Sequence, residues 1–117
     1  MPAAIELRLH RAERTLEVAF DDGARFVLPA EYLRVESPSA EVQGHSPAER
    51  RLVSGKRDVG LAGIEPVGHY AVRLLFDDGH DSGIYSWDWL YLLGQQQDRR
   101  WRDYLAGLAA AGLSRDR

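Results

Sequence analysis

A chain of 117 residues, 44% hydrophobic and 28% charged, has the make-up of one soluble globular domain with a modest core. Its 15 Lys and Arg against 18 Asp and Glu give a formal net charge of -3, without the basic excess of a general nucleic-acid binder. There is no cysteine, which excludes disulfides, iron–sulfur ligation, thiolate zinc sites and cysteine nucleophiles from within this polypeptide.

The opening MPAAIELRLHR alternates apolar and polar residues and lacks the apolar run of a signal peptide. No stretch is long and apolar enough to span a bilayer. A cytoplasmic protein with neither membrane nor nucleic acid as partner is expected. Ile5, Leu7 and Leu9 alternate with Glu6, Arg8 and His10, the two-residue period of a half-buried strand. Leu16, Val18 and Phe20 repeat that period. Asp22-Gly23 then predicts a hairpin turn before Phe26 and Leu28. Pro29 stops pairing and starts a helical turn that carries Tyr32 and Leu33. From Glu36 to Arg57 the pattern lapses, and the prolines, glycines and serines of ESPSAEVQGHSPAERRLVSGKR predict a long surface loop with a solvated basic end.

Strand pattern returns over Val59 to Pro66 and again at Tyr70, Val72, Leu74 and Phe76. Asp78-Gly79 marks a second hairpin, followed by a strand near Ser82 to Tyr85. Ser86 is a good N-cap for a helix to about Leu93, with Gly94 as its stop. A last helix is predicted from Asp98 to Ala111, with an amphipathic stripe of Trp101, Tyr104, Leu105, Leu108 and Ala109. The string FDDG occurs twice, 56 residues apart, each time between strands and ahead of a helical turn. Two similar units are suggested. The predicted class is α+β: an antiparallel, β-rich single domain over residues 1–113, with two β-hairpin units, a short helix after each and a C-terminal amphipathic helix. Residues 114–117 are read as a disordered tail.

Chemistry-bearing residues are sparse. The four histidines, His10, His45, His69 and His80, show no metalloprotease spacing. Asp21-Asp22 and Asp77-Asp78 read as turn formers, exposed and with ordinary pKa values. No glycine pattern fits a phosphate loop. His45 and Ser46 within GHSPA only superficially resemble a nucleophile setting, because Pro47 lacks an N–H for an oxyanion. His80, Ser82 and Tyr85 form one conceivable constellation, but strand alternation sets Ser82 and Tyr85 on opposite faces. The aromatics Tyr85, Trp87, Trp89 and Tyr91 crowd the second helix, which is apolar on two faces. Such a helix is either deeply buried or meets a partner.

The segments LPAEYLRVESPSAEV and IEPVGHYAVRLLFDDGHDSGIYSWDWLYLLG resemble the N-terminal-like domain of gamma-butyrobetaine hydroxylase in its standalone bacterial form. The likeness covers nearly the whole chain up to Gly94. It implies a place where the eukaryotic hydroxylases hold a structural zinc ion through three cysteines and a histidine. Carried over position by position, the cysteines fall on Ser37, Ser39 and Val42, and the histidine on His80. Hydroxyls that stay protonated and a hydrocarbon branch do not make a structural zinc site, so no metal is expected there. A weaker set of His80, His45 and Glu36 or Glu41 is the alternative. The family's catalytic half is a separate barrel that holds iron and 2-oxoglutarate. Its facial triad opens with a histidine two residues before a carboxylate, and none of these histidines has that neighbour. Family members fused to ATPases with iron–sulfur clusters imply an accessory role, although without thiols this chain could only dock to a cluster carrier.

The expectation is therefore a non-enzymatic, cofactor-free protein-binding or adaptor domain, meeting another protein or a second copy of itself through Tyr85, Trp87, Trp89 and Tyr91. The alternative is a metal-binding accessory linked to iron–sulfur cluster handling or to 2-oxoglutarate/iron oxygenases. His80 is expected to hydrogen-bond the SPSAEV backbone. Trp89 is expected to serve a partner and to be dispensable for folding.

Overall fold

In the computed structural model, residues 2–44 and 51–116 are described. The first alternating runs become β1 (Ala4–His10), β2 (Thr15–Phe20) and β3 (Arg25–Pro29), a three-stranded antiparallel sheet in the order β1-β2-β3. Leu16, Val18 and Leu28 are wholly buried on its inner face, as the two-residue period requires. At the β2–β3 turn Gly23 adopts φ 91°, open to glycine without penalty. The Asp22 side chain there accepts the Ala24 N–H at 2.9 Å. Pro29 then leads into α1 (Ala30–Val35).

The second half repeats this plan. β4 (Leu61–Val67), β5 (Ala71–Phe76) and β6 (Ile84–Ser86) form a second antiparallel sheet in the order β4-β5-β6. Gly79 stands at φ 92° in its turn, matching Gly23, and the Asp78 side chain accepts the His80 N–H as Asp22 accepts that of Ala24. Each sheet also carries a register irregularity near the start of its first strand, between Ala4 and Glu6 and between Leu61 and Gly63. After β6 comes α3 (Trp87–Gln95), capped by Ser86, whose Oγ accepts the Trp89 N–H at 3.1 Å.

The two units clasp each other through equivalent positions. Tyr32 in α1 donates its hydroxyl to the Leu93 carbonyl at 2.7 Å; Trp89, its counterpart in α3, donates its indole N–H to the Glu36 carbonyl at 3.0 Å. Arg34 donates to Asp78 of the second turn at 2.9 Å, and its counterpart Tyr91 donates to Asp22 of the first turn at 2.6 Å. The close approaches pair up as well. Phe26 lies over Gly94, where a Cβ would fall 2.4 Å from the ring, and Ser37 lies over Gly83, where a Cβ would fall 2.6 Å from its Oγ. This is the self-complementary pattern of a two-fold dimer, written within one chain. One core joins the halves, with Leu16, Phe20 and Leu28 from the first packed in a cluster with Leu74, Tyr85 and Leu90 from the second.

Several expectations are corrected in detail. Gly94 does not stop α3, which runs on to Gln95; it is the only residue small enough to admit Phe26. The segment after α1 contains a short helix, α2 (Ala40–Gln43), capped by Ser39. Lys56, read as part of a solvated run, forms an ion pair with Asp78 at 2.6 Å. In α4 (Gln97–Ala110) only Tyr104 and Leu108 of the predicted stripe are buried and Trp101 is half-buried, while Leu105 and Ala109 face outward. Residues 114–116, read as a tail, lie against the body: the Gly55 N–H donates to the Ser114 carbonyl at 2.9 Å and the Arg57 N–H to that of Arg115 at 3.0 Å. His45, Ser46 and Pro47 lie outside the described residues. Among the described residues no helix is long and apolar enough to cross a membrane.

Candidate functional site

The β5–β6 turn and the stretch from α1 to α2 meet at His80. Its position is set by the second Asp-Gly turn, and the Asp78 carboxylate fixes its backbone by accepting the His80 N–H at 3.1 Å. Gly83, lacking a Cβ, lets Ser37 come alongside. His80 is 4% exposed, and its ring packs on Phe76 with centroids 5.9 Å apart. Both ring nitrogens have partners. Nε2 lies 2.8 Å from Ser37 Oγ, and Nδ1 lies 2.9 Å from a carboxylate oxygen of Glu41.

A hydrogen-bonded chain follows. Ser39 N–H donates to Ser37 Oγ at 3.2 Å. In the tautomer whose Nδ1–H donates to Glu41, Nε2 accepts from the Ser37 hydroxyl. Ser39 Oγ and Ser82 Oγ share a bond of 2.7 Å, and Gln43 donates to the Ser37 carbonyl at 2.8 Å. Glu41 faces solvent, with 65% of its side chain exposed. His80 thus reaches the SPSAEV segment as expected, but grips side chains, Ser37 and Glu41, instead of backbone.

Serine, histidine and carboxylate in this order are the parts of a hydrolytic triad. The surroundings do not complete one. Ser37 is 0% exposed, so its hydroxyl cannot meet a substrate, and the nearby Ser39 N–H is spent on Ser37 itself instead of awaiting an oxyanion. Two clefts in the molecule, of about 260 and 630 Å³, are lined by other residues.

The four positions tied to metal by resemblance behave unevenly. Ser37 and His80 touch; Ser39 is one residue removed, bonded to Ser37 and Ser82; Val42 is buried at the end of the same segment. Two hydroxyls, an isopropyl group and an imidazole with both nitrogens engaged do not fit a four-donor zinc centre. Among the described residues no group of three or more His, Cys, Asp or Glu side chains is gathered to hold an ion.

Asp78 was missed as a structural centre. Far from an exposed turn tip, its side chain is 11% exposed and held by Arg34 and Lys56. Burial by itself would raise its pKa; the Lys56 ammonium, the His80 N–H and the Arg34 guanidinium outweigh that and hold it at about 2. Asp22 is likewise lowered, by the Tyr91 hydroxyl and the Ala24 N–H. The two backbone N–H bonds are local to their turns, but no local pattern marks those from Arg34, Lys56 and Tyr91, each of which joins distant parts of the chain.

A family model described as gamma-butyrobetaine hydroxylase-like, N-terminal, matches residues 7–91. The chain belongs to that family. The match runs from within β1 into α3 and includes both halves of the His80 site. Two solved structures, each described as the NMR solution structure of a protein, align with TM-scores of 0.87 and 0.85. They are 52% and 51% identical, cover 99% and 98% of this chain, and are themselves covered over 91% and 86%. A crystal structure from Acidithiobacillus ferrooxidans, described as a protein of unknown function of the DUF971 family, aligns with a TM-score of 0.67 at 39% identity, over 79% of this chain and 92% of that one. No curated protein matches.

The expected contact aromatics divide. Tyr85 is not on the surface: it is fully buried, its hydroxyl donates to the Leu33 carbonyl, and burial pushes its pKa up. Trp87, Trp89 and Tyr91 are half-buried, and each spends its polar atom inside the chain, on the His69 carbonyl, the Glu36 carbonyl and Asp22. Trp89 also carries the Arg100 guanidinium 5.1 Å above its ring, and its bond to Glu36 makes it part of the clasp between the units. The open hydrophobic surface near this corner is instead Tyr70, 61% exposed, and Ile84, 48% exposed.

Proposed function

We propose that this family member is a non-catalytic adaptor domain of the cytoplasm, working through its surface on another protein and holding no cofactor. The observation that carries the reading is the closed state of the catalytic-looking cluster at His80. Ser37 is sealed from solvent, and His80 is held at both nitrogens between Ser37 and Glu41. Such a network rigidifies the junction of α1, α2 and the second hairpin. The contact surface is the rim where Tyr70 and Ile84 stand exposed beside the half-buried Trp87, whose indole N–H and backbone N–H both hold the 69–70 turn. Exposed apolar side chains on an edge strand and on the turn beside it are suited to such contact.

A metal-binding accessory is the second reading. It is favoured by the meeting of Ser37 and His80 at positions where the resembled domain ligates zinc. In this reading His80 still serves as a ligand, with Glu41 beside it in place of the thiolates.

The test pairs two measurements. A fluorophosphonate probe is expected to leave Ser37 unlabelled, and Tyr70→Glu/Ile84→Glu is expected to lose a partner that the wild type captures, at an unchanged Tm. Labelling of Ser37, or equal capture by both proteins, would defeat the adaptor reading. Stoichiometric zinc or iron that vanishes in His80→Ala would favour the second.

A further inference from the structure

A second buried carboxylate lies away from His80. Glu31, in the first turn of α1, is 6% exposed, and a carboxylate withdrawn from water needs a cation beside it. Arg115 supplies one, across 84 residues of chain: Nε meets one carboxylate oxygen at 2.8 Å and an Nη meets the other at 2.6 Å. The same guanidinium sits 5.2 Å over the Trp101 ring. Tyr32 packs edge-on against Trp101 at 6.3 Å. Fork-shaped carboxylate pairing beneath, with an aromatic face alongside, selects a planar guanidinium over an ammonium. Beside it opens a cleft of about 630 Å³, bordered by Pro29, Gln97, Asp98 and Arg102, which is far more room than one guanidinium needs.

What delivers Arg115 is weakly attached. From Ala109 to Asp116 every side chain except that of Arg115 is exposed. Among the described residues, and apart from Arg115, residues 114–116 are joined to the body by two backbone bonds to Gly55 and Arg57 and by the solvent-exposed Arg57–Asp116 pair. Glu31 and Trp101, by contrast, stand on helices.

We propose that Glu31 and Trp101, at the edge of the cleft between α1 and α4, form a guanidinium-binding seat occupied in cis by Arg115, and that an incoming arginine enters through the cleft and displaces Arg115 from it. The ligand class is the guanidinium group; it arrives either on a polypeptide or as free arginine. This site is independent of the Tyr70–Ile84 rim.

The experiment uses the full chain with Arg115→Ala. Acetyl-Gly-Arg-Gly-amide, free L-arginine and acetyl-Gly-Lys-Gly-amide are titrated while the Trp101 indole N–H resonance is followed. The arginine peptide is expected to bind the variant at least ~10-fold more tightly than the wild type, because the competing side chain is gone. The lysine peptide is expected to bind at least ~10-fold more weakly than the arginine peptide. Binding of the peptide but not of free arginine identifies a polypeptide source; equal binding identifies the small molecule. Loss of binding on adding Glu31→Gln or Trp101→Phe locates the site. A folded Arg115→Ala protein that binds no guanidinium, or binds it undiminished without Glu31, overturns the proposal. If Arg115→Ala does not fold, the wild type is titrated with the same peptides below denaturing concentrations. An Arg115 Nε–H resonance that moves as the arginine peptide is added supports displacement, and one that never moves overturns it.

Discussion

Replacing Gly94 by alanine sets two opposite effects against each other. Within α3, alanine is the better helix former by ~1 kcal/mol, so local propensity alone predicts a more stable protein. The tertiary contact predicts the reverse. A Cβ at position 94 would lie 2.4 Å from two carbons of the Phe26 ring and 2.7 Å from a third. Carbon pairs rest at about 3.5–4.0 Å, so the overlap exceeds an ångström. One of the struck atoms is Cγ, at the root of the ring, so turning the ring about its own axis gives no relief. Phe26 is further boxed by Phe20 at 5.9 Å and Tyr91 at 5.6 Å, both edge-on. Overpacking of this kind costs about 1–3 kcal/mol and outweighs the helical gain. The net loss is then about 1 kcal/mol, and Gly94→Ala is expected to lower the urea midpoint by roughly 0.5 M, taking a slope of about 2 kcal/mol/M. In a Phe26→Ala background the sign is expected to reverse, since only propensity is left. A Gly94→Ala protein as stable as the wild type or more so, in the presence of Phe26, would refute the account of why the two units fit together.

Other outcomes follow from the same contacts. Asp78 has its carboxyl at about 2 against an ordinary 3.8, so the stability it contributes is complete above that ordinary value and lost as pH falls toward the lower one. Asp78→Asn is expected to remove this part of the acid limb, measured as Tm against pH. Tyr32→Phe takes away the bond to the Leu93 carbonyl and is expected to cost about 1 kcal/mol in denaturant unfolding, with no change in fold by circular dichroism. Ser37→Cys/Ser39→Cys/Val42→Cys is expected to acquire about one zinc per chain by elemental analysis, and to lose it when His80→Ala is added, because four donors then serve one ion. A triple variant that stays metal-free would show that these positions do not converge on one point.

Much of the architecture was legible because it is written in short-range patterns. Alternation along Leu16, Val18 and Phe20, the two Asp-Gly turns and the Ser86 cap are local, and each appears where the sequence places it. The repeat of FDDG announced two units, but not that they would face and grip each other. What escaped were contacts between residues far apart in sequence. Gly94 reads as a helix stop when nothing says that Phe26 lies above it, and Asp78 reads as an exposed turn former when nothing says that Arg34 and Lys56 converge on it. The candidate site was half visible. His80 and the SPSAEV segment were tied together through resemblance. The role of Gly83 in seating Ser37 needed three-dimensional proximity, and the inward turn of Tyr85 followed from a core that no single strand reveals.

Reciprocity between the halves has a practical corollary. Two modules that each finish the other behave as an obligate pair with a built-in tether, and a tether raises the local concentration of one module around the other to the millimolar range. Cut between them, such pieces would be expected to recombine from a mixture, weakly when dilute and fully when concentrated. The molecule would then serve as a split reporter whose signal tracks how closely two attached baits are held.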